Sequence, residues 1–234
     1  MDELKILYED NHIIVVLKPQ NILSQGDETQ DISLLDMVKE YIKTTYNKPG
    51  NVFVGLVHRL DRPTGGVMVF AKTSKAANRL TLQMKEKKFV KKYLAVVLGT
   101  PKYKASRLEH FLKKDTTTNI VKVVPRGVDG AKQAILQYKT LQTIDKVSLM
   151  EVQILTGRSH QIRVQMAQIG NPIFGDAKYK GDALAKGHNL ALWAFELAFE
   201  HPTTKKPMIF KCLPPVDITP WNVFEKEILL KQKV

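Results

Sequence analysis

The sequence predicts an α+β fold built on a large mixed or mostly antiparallel sheet flanked by helices. Two observations predict it, and a third bears on domain organisation. Strand-like runs outnumber helical ones, and the two kinds do not alternate strictly along the chain. No internal repeat, low-complexity tract or composition shift marks a linker, so residues 1–234 are expected to form a single domain. Strict alternation would have pointed to a doubly wound parallel sheet instead.

The elements follow in order. "KILYEDNHIIVVLKP" alternates apolar and polar residues around an Asp-Asn pair, the pattern of a hairpin that ends at Pro19. In "DISLLDMVKEYIKTTY", Leu34, Leu35, Val38, Tyr41 and Ile42 recur at helical spacing, with Asp31 or Ser33 as the cap. "VFVGLV" and "VMVFA" are short apolar runs, which puts "HRLDRPTGG" on a turn or loop between two strands. A helix then runs from Ser74 as cap through "KAANRLTLQMKEKK".

Strands are expected at "FVKKYLAVVLG", "TNIVKVV", "AKQAILQYKTLQ" and "VSLMEVQIL", all rich in β-formers. In "TGRSHQIRVQMAQIGNP", Ser159 caps a helix whose Ile162, Met166 and Ile169 share an inward face, with Gly170 and Pro172 as stop signals. His160 and Arg163, three residues apart, share another part of that surface and can point at a common target. "LALWAFELAF" and "PMIFKCL" give two more strands, and "WNVFEKEILLKQK" a short helix.

Composition narrows the function classes. The 36 Lys and Arg outnumber the 23 Asp and Glu for a formal charge of +13, which favours a polyanionic partner, nucleic acid first. The apolar runs are too short or too interrupted to span a bilayer, so no membrane insertion or export is expected. The one cysteine, Cys212, has no internal partner and reads as a buried thiol in a reducing, cytoplasmic compartment. The histidines show no metal-ligand spacing and no Walker-type or GxGxxG loop follows a strand, so neither a metal nor a cofactor is expected.

Chemistry concentrates at Asp61, a single carboxylate between Arg59 and Arg62 with Pro63, Thr64, Gly65 and Gly66 close behind. A turn aspartate in a surface ion pair is the plainer reading. Against it, the two flanking arginines, with a third delivered from "HQIR", would keep a partly buried carboxylate charged and oriented. Such a group can serve as nucleophile or base.

Four segments together resemble the RluA-type pseudouridine synthases: "HRLDRPTGG", "LYEDNHIIVVLKP", "KKYLAVV" and "TGRSHQIRVQMAQIGNPIFGD". They stand in the family's order and cover nearly the whole chain. Gly65 occupies a position where the family signature usually has Ser, and the chain reads as the catalytic domain without an S4-like RNA-binding domain. Substrate choice would then rest on this domain.

The resemblance implies the pseudouridine synthase catalytic fold with a central active-site cleft, and conversion of uridine in ribosomal or transfer RNA to pseudouridine by a monomer that needs no cofactor. It makes Asp61 the essential carboxylate, attacking the ribose or uracil or removing the ribose 2′ proton. Arg163 would pair with Asp61, and Tyr93 would stack on the target uracil and help remove the C5 proton. The base must be flipped out of structured RNA, and Arg59 would fill the gap. His58 either supports the catalytic turn or is a structural histidine. Arg158 either meets phosphate or lies on the surface, and Arg62, Thr64 and His160 complete the expected substrate-binding set. "KEKKFVKK" and "HPTTKKP" would add backbone contacts to RNA.

Two other classes remain as alternatives. One is a catalytically inactive basic RNA-binding or ribosome-assembly factor on the same fold, against which Asp61, Tyr93 and Arg163 argue. The other is a glycoside hydrolase, which would want a second carboxylate nearby.

Overall fold

In the computed structural model, which describes residues 4–179 and 187–232, the chain forms two compact units. The first comprises Met1–Phe89 and Glu196–Cys212, the second Val90–Phe195 and Leu213–Val234.

In the first unit, β1 (Ile6–Glu9) and β2 (Ile13–Lys18) form the expected hairpin. Asp10 closes its turn, its Oδ1 accepting from the amides of His12 at 2.7 Å and Ile13 at 2.8 Å. β2 pairs antiparallel with β4 (Gly65–Ala71), from Ile13 opposite Ala71 to Lys18 opposite Gly66, and β3 (Gly55–Leu56) also pairs with β4. Ile13, Val15, Val67 and Val69 pack with Ala76 and Leu80 of α2 (Ser74–Lys85), while Ile14, Val16, Met68 and Phe70 are equally buried on the other face. Coverage on both faces explains why these strands read as continuous apolar runs instead of alternating ones.

α1 (Leu34–Thr45) begins at Ser33, the second of the two expected caps. Ser33 and Asp36 form a reciprocal capping box in which each side chain accepts from the other residue's amide. The cap of α2 is Thr73, one residue before the expected Ser74. Thr73 is still extended, so its hydroxyl reaches the amide of Ala76, whereas Ser74 already has helical geometry.

In the second unit, β5 (Val90–Leu98), β9 (Val147–Ile154), β8 (Lys132–Ile144), β6 (Ala105–Asp115) and β7 (Ile120–Val124) lie side by side in that order, every pair antiparallel. β6 is the one strand of this group that the sequence patterns left unassigned. α3 (Gln161–Gln168) packs on β6 and β7, with its Val164 among Leu112, Val121 and Ala134. Its Gln161 to Met166 are all buried, a wider contact than the single inward face expected.

β10 (Leu192–Glu200) begins in the second unit and ends in the first, where it pairs with β11 (Pro207–Lys211). A 3-10 turn at Trp221–Phe224 leads into α4 (Glu225–Leu230), the short terminal helix expected; Lys233, the last residue of that expected run, lies outside the described residues. Eleven strands and four α-helices among the described residues, not strictly alternating, make the fold α+β as expected. No helix among them is long and apolar enough to cross a membrane.

Gly175 shows how tightly the second unit is built. It takes a φ of +77°, and a Cβ there would lie 2.3 Å from the carbonyl oxygen of Asn189. Gly175→Ala is therefore expected to destabilise the protein by more than about 2 kcal/mol. Urea unfolding measures it, and a loss within experimental error of zero would contradict this packing.

Candidate functional site

Asp61 sits, half-buried, in the loop between β3 and β4, as the sequence requires. The loop is clamped at every step. Ser24 treats Leu60 as a strand neighbour would, its hydroxyl donating to the Leu60 carbonyl at 2.7 Å and accepting from the Leu60 amide at 3.0 Å. The amide of Thr64 donates to the carbonyl of Asp61 at 2.9 Å, closing the turn. The Gln20 side-chain amide donates to the carbonyl of Pro63 at 2.9 Å. Beyond the turn it is Gly66, not Gly65, that takes a positive φ, at 127°.

The expected residues around Asp61 divide by exposure. Arg59 is exposed. Arg62 is exposed too, but it points back to the chain, donating from Nε to the carbonyl of Asn21 at 3.1 Å and pairing with Asp31 at 2.7 Å. His58 is buried, and its Nε2 accepts from the amide of Val69 at 3.2 Å, which ties the loop to β4. Thr64 is buried as well, its hydroxyl without a hydrogen-bond partner among the described residues.

Lys18 completes this part of the site. Its side chain runs from the end of β2 beneath the turn with 0% exposure, and its ammonium donates to three carbonyls: Pro19 at 3.0 Å, Arg62 at 3.0 Å and Thr64 at 2.8 Å. Three N–H donors meet three acceptors. Burial pushes Lys18 down to about 7; the carboxylate of Asp61 works against that shift and Arg62 works with it. The sequence carried a signal for it, a lysine ending the apolar run "IIVVLK", but a lysine at a strand end is ordinarily solvated.

In the second unit, Tyr93 lies buried on β5 opposite Val152. Lys91, two residues earlier on the same face, has its ammonium pushed down by burial. Arg163 is buried on α3, and Asp176 grips it bidentately, Nε donating to Oδ2 at 2.8 Å and Nη2 to Oδ1 at 2.7 Å. Asp176 also accepts from the amides of Lys178 at 3.0 Å and Tyr179 at 3.2 Å, so this buried pair is hydrogen-bonded on both sides. Asp176 escaped the sequence reading as a partner, although it closes the "NPIFGD" segment.

His160 and Arg163 both reach Tyr179, but not from a shared helix surface, since His160 precedes α3 and both side chains are buried. The hydroxyl of Tyr179 lies 2.7 Å from His160 Nδ1 and accepts from the amide of Val121 at 2.9 Å, while the Arg163 guanidinium stands 5.2 Å over the ring. Ser159 is not the cap of α3. His160 takes the cap position in a left-handed conformation with φ 50°, and its side chain makes no capping hydrogen bond among the described residues. Gln161 secures the loop instead, its Oε1 accepting from Thr156 Oγ1 at 2.8 Å and the Arg158 amide at 3.0 Å. Arg158 is exposed and donates from Nε to the carbonyl of Gln133 at 2.9 Å. Cys212 is half-buried with its thiol pushed up by burial, which suits packing better than nucleophilic attack.

Lys18→Met removes the donor from three buried carbonyls and is expected to cost about 2 kcal/mol or more and to depress activity. The sign of its pH dependence follows from the shift. Between about 7 and the ordinary lysine value the unfolded chain holds a proton that the folded chain has released, so wild-type stability gains relative to Lys18→Met as pH rises through that window. Urea unfolding of both proteins across the window checks this. A difference that narrows with rising pH would be the wrong sign.

Comparison with known proteins agrees with the resemblance. A family profile described as RNA pseudouridylate synthase matches residues 12–168. The ribosomal large subunit pseudouridine synthase C of Vibrio vulnificus is 32% identical over 209 residues, covering 87% of this chain and 63% of that protein. The ribosomal large subunit pseudouridine synthase D of Vibrio cholerae is 31% identical over 238 residues, covering 96% of this chain and 71% of the relative. The chain thus spans a little under two thirds of the first relative and a little over two thirds of the second. Among solved structures, human RNA Pseudouridylate Synthase Domain Containing 4 shares the fold, with a TM-score of 0.77 at 23% identity over 96% of this chain and 93% of that one. With a profile match over more than half its length and relatives above 30% identity, the chain belongs to the RNA pseudouridylate synthase family.

Proposed function

We propose that this protein isomerises uridine to pseudouridine in RNA, with Asp61 as the essential carboxylate. The observation that carries the reading is the Asp61 turn itself. A half-buried carboxylate is presented by a loop whose neighbours are clamped through Ser24, Gln20 and Lys18, in a chain that belongs to this family. The reaction breaks the N1–C1′ bond and forms a C5–C1′ bond, while C5 loses a proton and N1 gains one. Atoms and electrons balance within the nucleotide, so the chemistry asks for a positioned acid-base group and no cofactor.

In this reading Asp61 attacks the ribose or uracil, or removes the ribose 2′ proton. Tyr93 stacks on the uracil and helps to remove the C5 proton. Arg163, oriented by Asp176, is the partner of Asp61, and Arg59 fills the gap left by the flipped base. The names of the relatives support large-subunit ribosomal RNA as the substrate, and the +13 charge supports an RNA partner. The profile match runs through both compact units, which supports treating them as one catalytic domain.

Asp61→Asn keeps the size of the side chain and removes its charge and its capacity to act as nucleophile or base. The variant should fold, bind RNA about as well as wild type, and lose more than ~10²-fold in rate by tritium release. Pseudouridine maps of ribosomal RNA from cells with and without the gene should lose one or more sites that wild type restores and Asp61→Asn does not. A folded Asp61→Asn protein working near the wild-type rate would sink the mechanism.

A further inference from the structure

The β6–β7–β8 ribbon presents two different faces. On one, Leu112, Val121 and Ala134 pack against Val164 of α3. Alternation then puts Arg107, Lys113, Lys122 and Gln137 on the other face, all exposed, with a half-buried Phe111 among them between Val124 and Gln133. The register sets Lys113 directly opposite Lys122. Like charges facing each other across a strand pair repel, and no ion pair of either lysine is found among the described residues. Two acids share this face: Glu109 is engaged by Arg107 at 2.7 Å and by Gln133, while Asp115 accepts from the amides of Thr117 and Thr118 and attracts Lys122 without an ion pair. From Lys102 to Lys139 the chain carries nine Lys and Arg against three Asp and Glu, a local excess that the core does not need.

We propose that this face is a second RNA-binding surface, on which Lys113 and Lys122 bind phosphate and Phe111 offers its ring to an unpaired base. The inference rests on the proposed function in taking RNA as the partner. The opposed lysine pair is offset only in part by Asp115, and it becomes favourable when an anion lies across it. A partly exposed aromatic beside basic and amide side chains on a sheet face is the arrangement that stacks and holds unstacked nucleotides. The surface gives the enzyme a grip on RNA flanking the target uridine, and with it a means of choosing among uridines. The competing role is edge protection, because β7 ends its sheet and lysines on an edge strand discourage pairing with another chain.

The test compares Lys113→Ala/Lys122→Ala with a helix variant, Lys75→Ala combined with Lys43→Ala, which removes the same charge from exposed positions on α2 and α1 outside the lysine-rich segments. The probes are unmodified large-subunit ribosomal RNA transcribed in vitro and a short single-stranded oligoribonucleotide. For the ribbon variant, KM for the transcript should rise about tenfold with kcat unchanged. The slope of log Kd against log salt should fall by about 1–2 relative to the helix variant. Its Tm should stay level, since removing the repulsion between the lysines is offset by losing the attraction of Lys122 for Asp115. KM and salt slope equal to those of the helix variant, or self-association with RNA binding intact, would overturn the surface while leaving the function standing. Unchanged RNA binding with lost binding to polyglutamate would assign the face to an acidic protein and overturn it too. A wild type that makes no pseudouridine, beside a ribbon variant that still shows the reduced slope, would remove the function and leave the surface.

Discussion

An ammonium group with no exposed surface is stable only if each of its protons finds an acceptor, and Lys18 meets that demand with the carbonyls of Pro19, Arg62 and Thr64. The rest of the Asp61 site depends on this arrangement. Lys18 reaches the turn because β2 pairs with β4 in the register that sets it opposite Gly66. A slip of one residue would carry its side chain to the opposite face of the strand and leave the carbonyls bare. Strand register, turn shape and the charge beneath Asp61 are thus one constraint. The partners around it act in the same direction: Ser24 holds Leu60 and Gln20 holds Pro63, so little freedom remains at Asp61.

The second unit uses a matching device of opposite sign. Asp176 is a buried carboxylate whose oxygens are taken by two guanidinium N–H groups and two backbone amides. Removing either partner of such a pair would strand the other charge, so the pair specifies one arrangement of α3 and the 176–179 loop more than it adds stability. Gly175 makes the loop possible, since its close approach to Asn189 excludes any Cβ. Tyr179 then joins His160, Val121 and Arg163 around one ring. α3 is buried nearly all round, so its polar residues depend on specific partners: Gln161 and Arg163 have them, whereas Gln165 is engaged through Nε2 and its Oε1 has none among the described residues.

The ribbon beside α3 separates two tasks by the period of a strand. One set of alternate residues closes the core over the helix that carries Arg163, and the other is left to solvent with an unbalanced positive charge. A surplus of positive charge that packing does not require, and that Glu109 and Asp115 offset only in part, is informative about partners.

Local chemistry determined much of this protein. The hairpin at Asp10, the helices at Ser33 and near Ser74, most of the strands and the loop position of Asp61 follow from apolar periodicity, capping residues and turn residues that act within a few positions. The family was legible too, because its four motifs lie in the linear chain. Only tertiary structure decided the features that depend on distant partners. β6 was hidden because its charged residues have low strand preference until β7 and β8 pair with them. His160 displaced Ser159 from the start of α3 because Tyr179, 19 residues on, holds its ring. Lys18 and Asp176 carried no expectation from sequence, since their burial and the acceptors or donors that make it tolerable arise 44 and 13 residues away. A single sequence records propensities between neighbours, whereas the free energy of a buried charge is set by whatever the fold brings beside it.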